Sequence, residues 1–283
     1  MKVAFQGEKG AYSEEATINY FNEEIETVGL PTSEQVFEAL LNQQVALAVL
    51  PMENSIVGNV SINLDLLYSE KVFAVGEYYH TIHHHFLGVE DSDLSTIKRA
   101  ISHPIALAQC RNFLIQNNIQ SIAEYDTAGA AKILSERPDL NTAAIGSKLC
   151  AKTYGLKILS DNIQKSKTNI TRFLVLSREN EIPEGIIQNK TSVAFSAHHH
   201  PGALLDCLQV FKEFDINLTK LQSRPIVTNP FEYVFFVDFL NGIMDPKTIN
   251  CLKELNRGAH HVKVLGSYAE GVKPISENLG QRP

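Results

Sequence analysis

An α/β protein with a second, ferredoxin-like domain is the fold class the sequence predicts, on three observations. The first two thirds alternate short apolar runs with helical patterns, as α/β units around a mostly parallel sheet do. A polar stretch broken by Pro and Gly, residues 178–185, then reads as a linker. Beyond it the element order becomes βαββαβ within fewer than about a hundred residues, the ferredoxin-like unit.

Taken in order, the apolar runs 3–5, 47–51, 72–79, 86–89, 100–102, 143–146 and 173–177 predict strands. Helices are expected to start near Ser13, Ser33, Ser61, Ile105, Thr127 and Lys148. Several of those starts carry Ser or Thr, whose hydroxyls cap the free amides of a first turn. After the linker come a strand at 191–197, a helix at 201–214, strands at 217–226 and 232–239, a helix at 246–256 and a strand at 262–268. Pro201 suits a first helical turn, where a missing N–H costs nothing. The expected domains are therefore 1–185 and 186–283, with disorder expected at 280–283.

The bulk composition limits what such a protein does. Its 283 residues suit two domains of about 100 to 200 residues each. A net charge of -7, with no Lys/Arg-rich run, disfavours nucleic acid and anionic membrane as partners, so any anion must be captured locally. The first residues reach Lys2 and Gly7 too soon for a signal peptide, and a cytoplasmic location is expected. Cys110, Cys150, Cys207 and Cys251 lie far apart without a Cys-x-x-Cys pair, which suggests packed, reduced thiols. The runs His83 to His85 and His198 to His200 invite a metal reading. Consecutive strand residues point to opposite faces, however, so neither run converges on one ion.

Chemistry concentrates in four segments that follow or flank predicted strands, where open α/β sheets place their ligands. Gly7 to Glu14 offers glycines for close backbone approach and a helix start at Ser13 that favours an anion. Pro51 to Gly58 presents Glu53, Asn54 and Ser55 consecutively in a loop. Ser102, His103 and Pro104 precede Gln109 and Cys110, with His103 read as a turn or capping residue. Thr171 and Arg172 stand where an irregular segment enters an apolar strand. Together the four point to one cleft for a small anion.

In order and spacing these motifs resemble prephenate dehydratase. The matching residues are Gly7 to Glu14; Pro51 to Ser55 with Gly58 and Asp65 to Leu67; Ser102 to Pro104 with Gln109 and Cys110; Asp126 to Ala128 with Ala130 and Ala131; and Thr171 to Phe173. The C-terminal part is similar to an ACT domain through Pro201 to Leu204 and Gln222 to Pro225. The resemblance implies a two-lobed catalytic region similar to type II periplasmic binding proteins, with the second lobe at about 80–175 and the site between lobes. No chorismate mutase segment precedes the first strand, so a monofunctional enzyme is expected.

The implied reaction strips carbon dioxide and water from prephenate and makes its ring aromatic. It needs no metal or organic cofactor. Within it, Thr171 is expected to donate to the departing hydroxyl and Arg172 to clamp a carboxylate through two parallel N–H bonds. Asn54, Ser55, Ser102 and Gln109 would fix the pose, and Glu53 would orient Arg172. Helix N-termini near Ser13 and Ile105 would add anion binding. The ACT resemblance implies phenylalanine as effector at a subunit interface, bound by Gly202, Ala203, Leu204, Asn217, Gln222, Ser223, Arg224 and Pro225 in a homodimer or homotetramer. The family usually has Glu where this chain has Gln222, which leaves the sign of the response open. Rival readings are arogenate dehydratase and a non-catalytic amino-acid sensor on the same plan.

Overall fold

The computed structural model describes residues 1–22, 24–179, 187–225 and 232–274. The polar linker beyond residue 179, the end of the strand expected at 226 and the tail at 280–283 lie outside them. In chain order the elements are β1 (Lys2–Gln6), α1 (Tyr12–Phe21), β2 (Glu26–Leu30), α2 (Ser33–Leu41), β3 (Leu47–Asn54), β4 (Gly58–Asn59), α3 (Ser61–Ser69), β5 (Phe73–Thr81), β6 (His85–Gly88) and β7 (Arg99–Ser102). Next come α4 (Pro104–Gln109), α5 (Arg111–Gln116), β8 (Gln120–Ala123), α6 (Thr127–Glu136), β9 (Thr142–Gly146), α7 (Lys148–Tyr154), β10 (Lys157–Ser160) and β11 (Ile170–Ser177). The last are β12 (Lys190–Ser196), α8 (Ala203–Glu213), β13 (Leu218–Pro225), β14 (Tyr233–Leu240), α9 (Pro246–Gly258) and β15 (His261–Tyr268).

Its described residues form two compact units, the first within 1–63, 78–173 and 273–274 and the second within 64–77 and 174–272. In the first unit β1 pairs in parallel with β2 and β3. A second sheet has the order β10-β6-β9-β7-β8. It is mixed rather than mostly parallel, because β6 runs antiparallel to both β9 and β10 while β7 runs parallel to β8 and β9. Two apolar clusters flank this second sheet, one around Leu87, Ala131 and Ala144 beneath α6 and α7, the other around Phe86, Leu107 and Ile145 beneath α4 and α5.

In the second unit β12, α8, β13, β14, α9 and β15 give the expected βαββαβ order, with strands arranged β13-β14-β12-β15 and all neighbours antiparallel. Its core gathers Phe195, Phe211, Phe239 and Leu255 between that sheet and its two helices. The helix begins later than Pro201, at Ala203, because Gly202 takes φ +89° as its N-cap. The start of β5 pairs with β15 at Ala74 and Gly266. A Cβ at Gly266 would stand 2.1 Å from the Ala74 carbonyl oxygen, so this crossing demands glycine. At the end of α3, Lys263 donates to the carbonyls of Leu67, Tyr68 and Glu70, capping that helix with a positive charge. The Lys190 ammonium is buried against Glu77, at 2.8 and 2.9 Å from the two carboxylate oxygens.

Candidate active site

A cavity of about 600 Å³ in the first unit is walled by all four segments singled out in the sequence. Gly7 to Ser13 enters after β1, Asn54 from the end of β3, His103 and Gln109 from the cap and end of α4, and Thr171 and Phe173 from β11. The first loop is held by close backbone contact. Gly10 has φ +86°, a Cβ there would lie 3.0 Å from Cys150 Sγ, and its carbonyl accepts from Ser147 Oγ at 2.6 Å. Only glycine meets both demands.

Asn54 sets the polarity of the floor. Its Oδ1 accepts the N–H groups of Ile56 (2.9 Å) and Val57 (3.0 Å), an Asx turn that decides which end of the amide is oxygen. Its Nδ2 then donates to Asn169 Oδ1 at 2.8 Å and to Thr171 Oγ1 at 2.9 Å. Since the threonine oxygen accepts here, its own hydrogen is left for a ligand. Asn169, oriented by Asn54, donates from Nδ2 to Gln109 Oε1 at 2.9 Å. The same Gln109 oxygen lies 2.6 Å from His84 Nε2, and the Tyr12 hydroxyl lies 2.7 Å from His84 Nδ1. Burial pushes His84 below the ordinary imidazole value, partly offset by the bond to Gln109, and pushes the Tyr12 phenol well above its own. Both are neutral groups in the folded chain at neutral pH.

Four expected residues do not wall the cavity. Arg172 and Glu53 are neighbours in strand of Thr171 and Asn54, and strand alternation turns neighbours to opposite faces. The pair Thr171 and Arg172 lies inside β11, which already begins at Ile170, and Arg172 is buried at 6% exposure. A direct clamp on a bound carboxylate therefore does not follow from its position. Ser55 is employed in joining loops, donating to the Thr168 carbonyl at 2.7 Å and accepting from Ile170 N–H at 3.0 Å. Ser102 is fully buried and donates to the Ile145 carbonyl at 2.7 Å, pinning β7 to β9.

The positive charge comes from elsewhere. Among the described cavity residues Lys9 alone carries a fixed positive charge, while Glu8 is paired with Lys132 at 3.1 Å and Asp126 caps α6. At the start of α1, Glu14 accepts from Gly10 N–H at 2.5 Å, which offsets the anion attraction expected there. His103 caps α4, its Nδ1 accepting from Ile105 N–H at 3.3 Å. Sequence reasoning left out Tyr12, His84, Asn169 and Lys9. His83 and His84 sit in the connection between β5 and β6 rather than on a strand, and the run diverges: His84 reaches Gln109 while His85 bonds Asp161 at 2.9 Å. Among the described residues no group of three His, Cys, Asp or Glu is placed to hold a metal. Burial raises the thiols of Cys110, to about 12, and Cys150, to about 11, so neither ionises near neutrality.

In the second unit a cavity of about 490 Å³ opens at the start of α8. Gly202, Ala203 and Leu204 line it together with Tyr233 and Phe235. Asn217, Gln222, Ser223, Arg224 and Pro225 are not part of its wall within one chain. They lie on or beside the outer strand β13, and Arg224 is bound through two N–H bonds to Asp65, at 3.1 and 2.6 Å.

Comparison with known proteins places these features in a family. The family model described as prephenate dehydratase matches residues 3–181. The chain is 39% identical over 277 residues to arogenate dehydratase/prephenate dehydratase 2, chloroplastic, of Arabidopsis thaliana, covering 95% of this chain and 72% of that protein. Among solved structures it is similar to GqqA, described as a novel type of quorum quenching acylase, at TM-score 0.87 and 30% identity over 95% of this chain and 97% of that one. It is also similar to the prephenate dehydratase of Arthrobacter aurescens in complex with L-Phe, at TM-score 0.86 and 28% identity over 95% and 90% of the two chains.

Proposed function

This chain belongs to the prephenate dehydratase family, and from that membership and the donors left free in its cavity we propose that it converts prephenate to phenylpyruvate, with loss of carbon dioxide and water. The observation that carries the proposal is the bond from Asn54 Nδ2 to Thr171 Oγ1, 2.9 Å long, which leaves the threonine O–H to donate. Hydroxide is a poor leaving group, and a hydrogen bond placed where its charge develops lowers the barrier. Prephenate is a dianion and its products are a monoanion, carbon dioxide and water, so each turnover takes up one proton. A threonine hydroxyl is too weak an acid to be that proton's source, so it polarises the leaving oxygen while solvent supplies the proton.

The remaining roles follow from position. Gln109 offers an NH₂ group whose oxygen end is already occupied by His84 and Asn169. Lys9 supplies positive charge toward the carboxylates without burying a counter-ion beside the one that must leave. Arg172 and Glu53 act behind the wall, as supports of the strands that carry Thr171 and Asn54. Residues 1–185 form the catalytic domain in this proposal, and 186–283 the regulatory one. Phenylalanine binds at the Gly202 to Leu204 helix start, where Tyr233 and Phe235 offer aromatic faces. Asn217 and Gln222 to Pro225 complete that site from a second subunit of a homodimer or homotetramer in the cytoplasm.

Acylase chemistry, the description given for GqqA, calls for a nucleophile activated by a base. Here His84 is committed to Tyr12 and Gln109, and Thr171 is bonded to an amide. The test is to supply purified protein with prephenate, arogenate and an N-acyl amide in parallel, with and without phenylalanine. Phenylpyruvate from prephenate, changed in rate by phenylalanine, is the expected outcome. Phenylalanine formed from arogenate alone would move the assignment to arogenate dehydratase, and no product from a folded sample would leave a ligand sensor.

A further inference from the structure

We infer that His84 is a positioning residue for the reaction: a neutral imidazole protonated at Nε2, it holds the Gln109 oxygen so that the Gln109 NH₂ is turned to the ligand. The inference rests on the dehydratase reading and extends it to a group outside the hydroxyl and amides that would meet substrate. It follows from a chain of donors and acceptors that has a single consistent direction. Two backbone N–H groups fix Asn54 Oδ1 as acceptor, so Asn54 Nδ2 is the donor and Asn169 Oδ1 must accept. Asn169 then donates to Gln109 Oε1, which makes that atom oxygen and obliges His84 Nε2 to carry a proton.

A neutral imidazole protonated at Nε2 has a bare Nδ1. The Tyr12 hydroxyl stands 2.7 Å from it and 3.0 Å from the His83 carbonyl oxygen, so its one proton is shared between these two acceptors, with the ring edge-on to the imidazole at a centroid distance of 5.4 Å. The His84 backbone N–H donates to Gln164 Oε1 at 2.9 Å, so the residue is held from both ends. Burial, which depresses the basicity of His84, keeps the imidazole neutral near physiological pH. Rotating the Gln109 amide by half a turn would set its NH₂ against two donors, His84 Nε2–H and the Asn169 amide. The histidine thus forbids the amide orientation that would present oxygen to an anion.

Steady-state kinetics of His84→Leu, His84→Gln and Gln109→Ala, singly and combined, test the role. His84→Leu is expected to lower kcat/KM on prephenate by about 10- to 100-fold, and His84→Gln, which keeps an N–H donor, to recover most of that loss. Added to Gln109→Ala, His84→Leu should cost less than about twofold further, since it acts through the missing amide. Full, multiplicative losses in the double variant, or wild-type kinetics in His84→Leu, would overturn the inference. Should His84→Leu fail to fold, nitrogen NMR of the imidazole in the unaltered protein decides: a protonated Nε2 and bare Nδ1 are expected, and the opposite tautomer overturns it. An unaltered chain that turns over none of the substrates overturns the dehydratase reading itself, and the inference with it.

Discussion

At Asn54, two backbone amides decide the orientation of a side-chain amide, and that choice passes from Asn169 to Gln109 to His84 and, on the other side, to Thr171. Every heavy-atom separation along this path is 3.0 Å or less, so reversing one member leaves a donor facing a donor. Neutral His84 also links the site to pH. Its folded value lies below the ordinary 6.5, through burial first and the neighbouring His85 and His83 next, with the Gln109 bond opposing. Between the folded and unfolded values the unfolded chain binds more protons, so the stability His84 contributes is present above about pH 6.5 and is lost as pH falls below it. Thermal melts from about pH 7 to about pH 5 should therefore show a steeper acid decline in the unaltered protein than in His84→Gln. Equal slopes would mean that His84 is not held neutral. Thr171, Asn54 and Gln109 were legible because hydroxyl and amide side chains at strand ends carry a recognisable chemistry. Arg172, Glu53, Ser55 and Ser102 were read as equals of theirs, since a sequence lists neighbours without saying that alternation sends them to opposite faces or that a carbonyl behind the wall claims a hydroxyl.

Elements show the same division between what burial writes into a sequence and what it does not. The strands found in the sequence are those with apolar runs, such as β3 and β9, whose residues are buried on both faces. The strands missed are β2, β8 and β10, which lie at the edges of their sheets, and the two-residue β4, which pairs with β3; all are short and mostly half-exposed, and so carry no such run. The helix expected from Ile105 onward is two short helices because the chain leaves helical geometry at Cys110, with ψ at 6°. Two elements are held by single residues open to test. Gly10→Ala combines a positive φ with a Cβ 3.0 Å from Cys150, and should cost about 2 to 4 kcal/mol in chemical denaturation, with slower turnover because Tyr12 stands only two residues further on. Lys190→Met removes the ammonium from the buried Glu77 carboxylate, which also accepts from the Gly271 N–H at 2.9 Å. A loss of about 3 to 5 kcal/mol is expected, largely restored by adding Glu77→Gln. Unchanged melting of Lys190→Met would show the pair to be dispensable.

For the molecule as a whole, two strands carry the chain from one unit into the other. Strand β5 begins in the second unit, where Glu77 meets Lys190, and only seven positions later the backbone reaches His84 at the cavity, 84 less 77. Strand β11 is shared in the same way, with Thr171 in the first unit and Leu174 to Ser177 in the second. On the proposed function, a ligand bound to the second unit has two covalent routes to the residues that line the cavity, and any coupling must be reciprocal between the two ligands. The βαββαβ order of the second domain was legible because its apolar runs and helix starts are strong. Of the expected effector set, Gly202, Ala203 and Leu204 line the α8 cavity and the β13 residues do not, and a sequence does not tell which residues meet only across two chains. The central claim concerns one hydroxyl, and turnover of prephenate by Thr171→Val and Thr171→Ser tests it most directly. Valine keeps the shape and removes the donor, so kcat should fall by about 10²- to 10⁴-fold, while serine should stay within about tenfold of the unaltered protein. A folded valine variant that turns over prephenate at the unaltered rate would contradict the account.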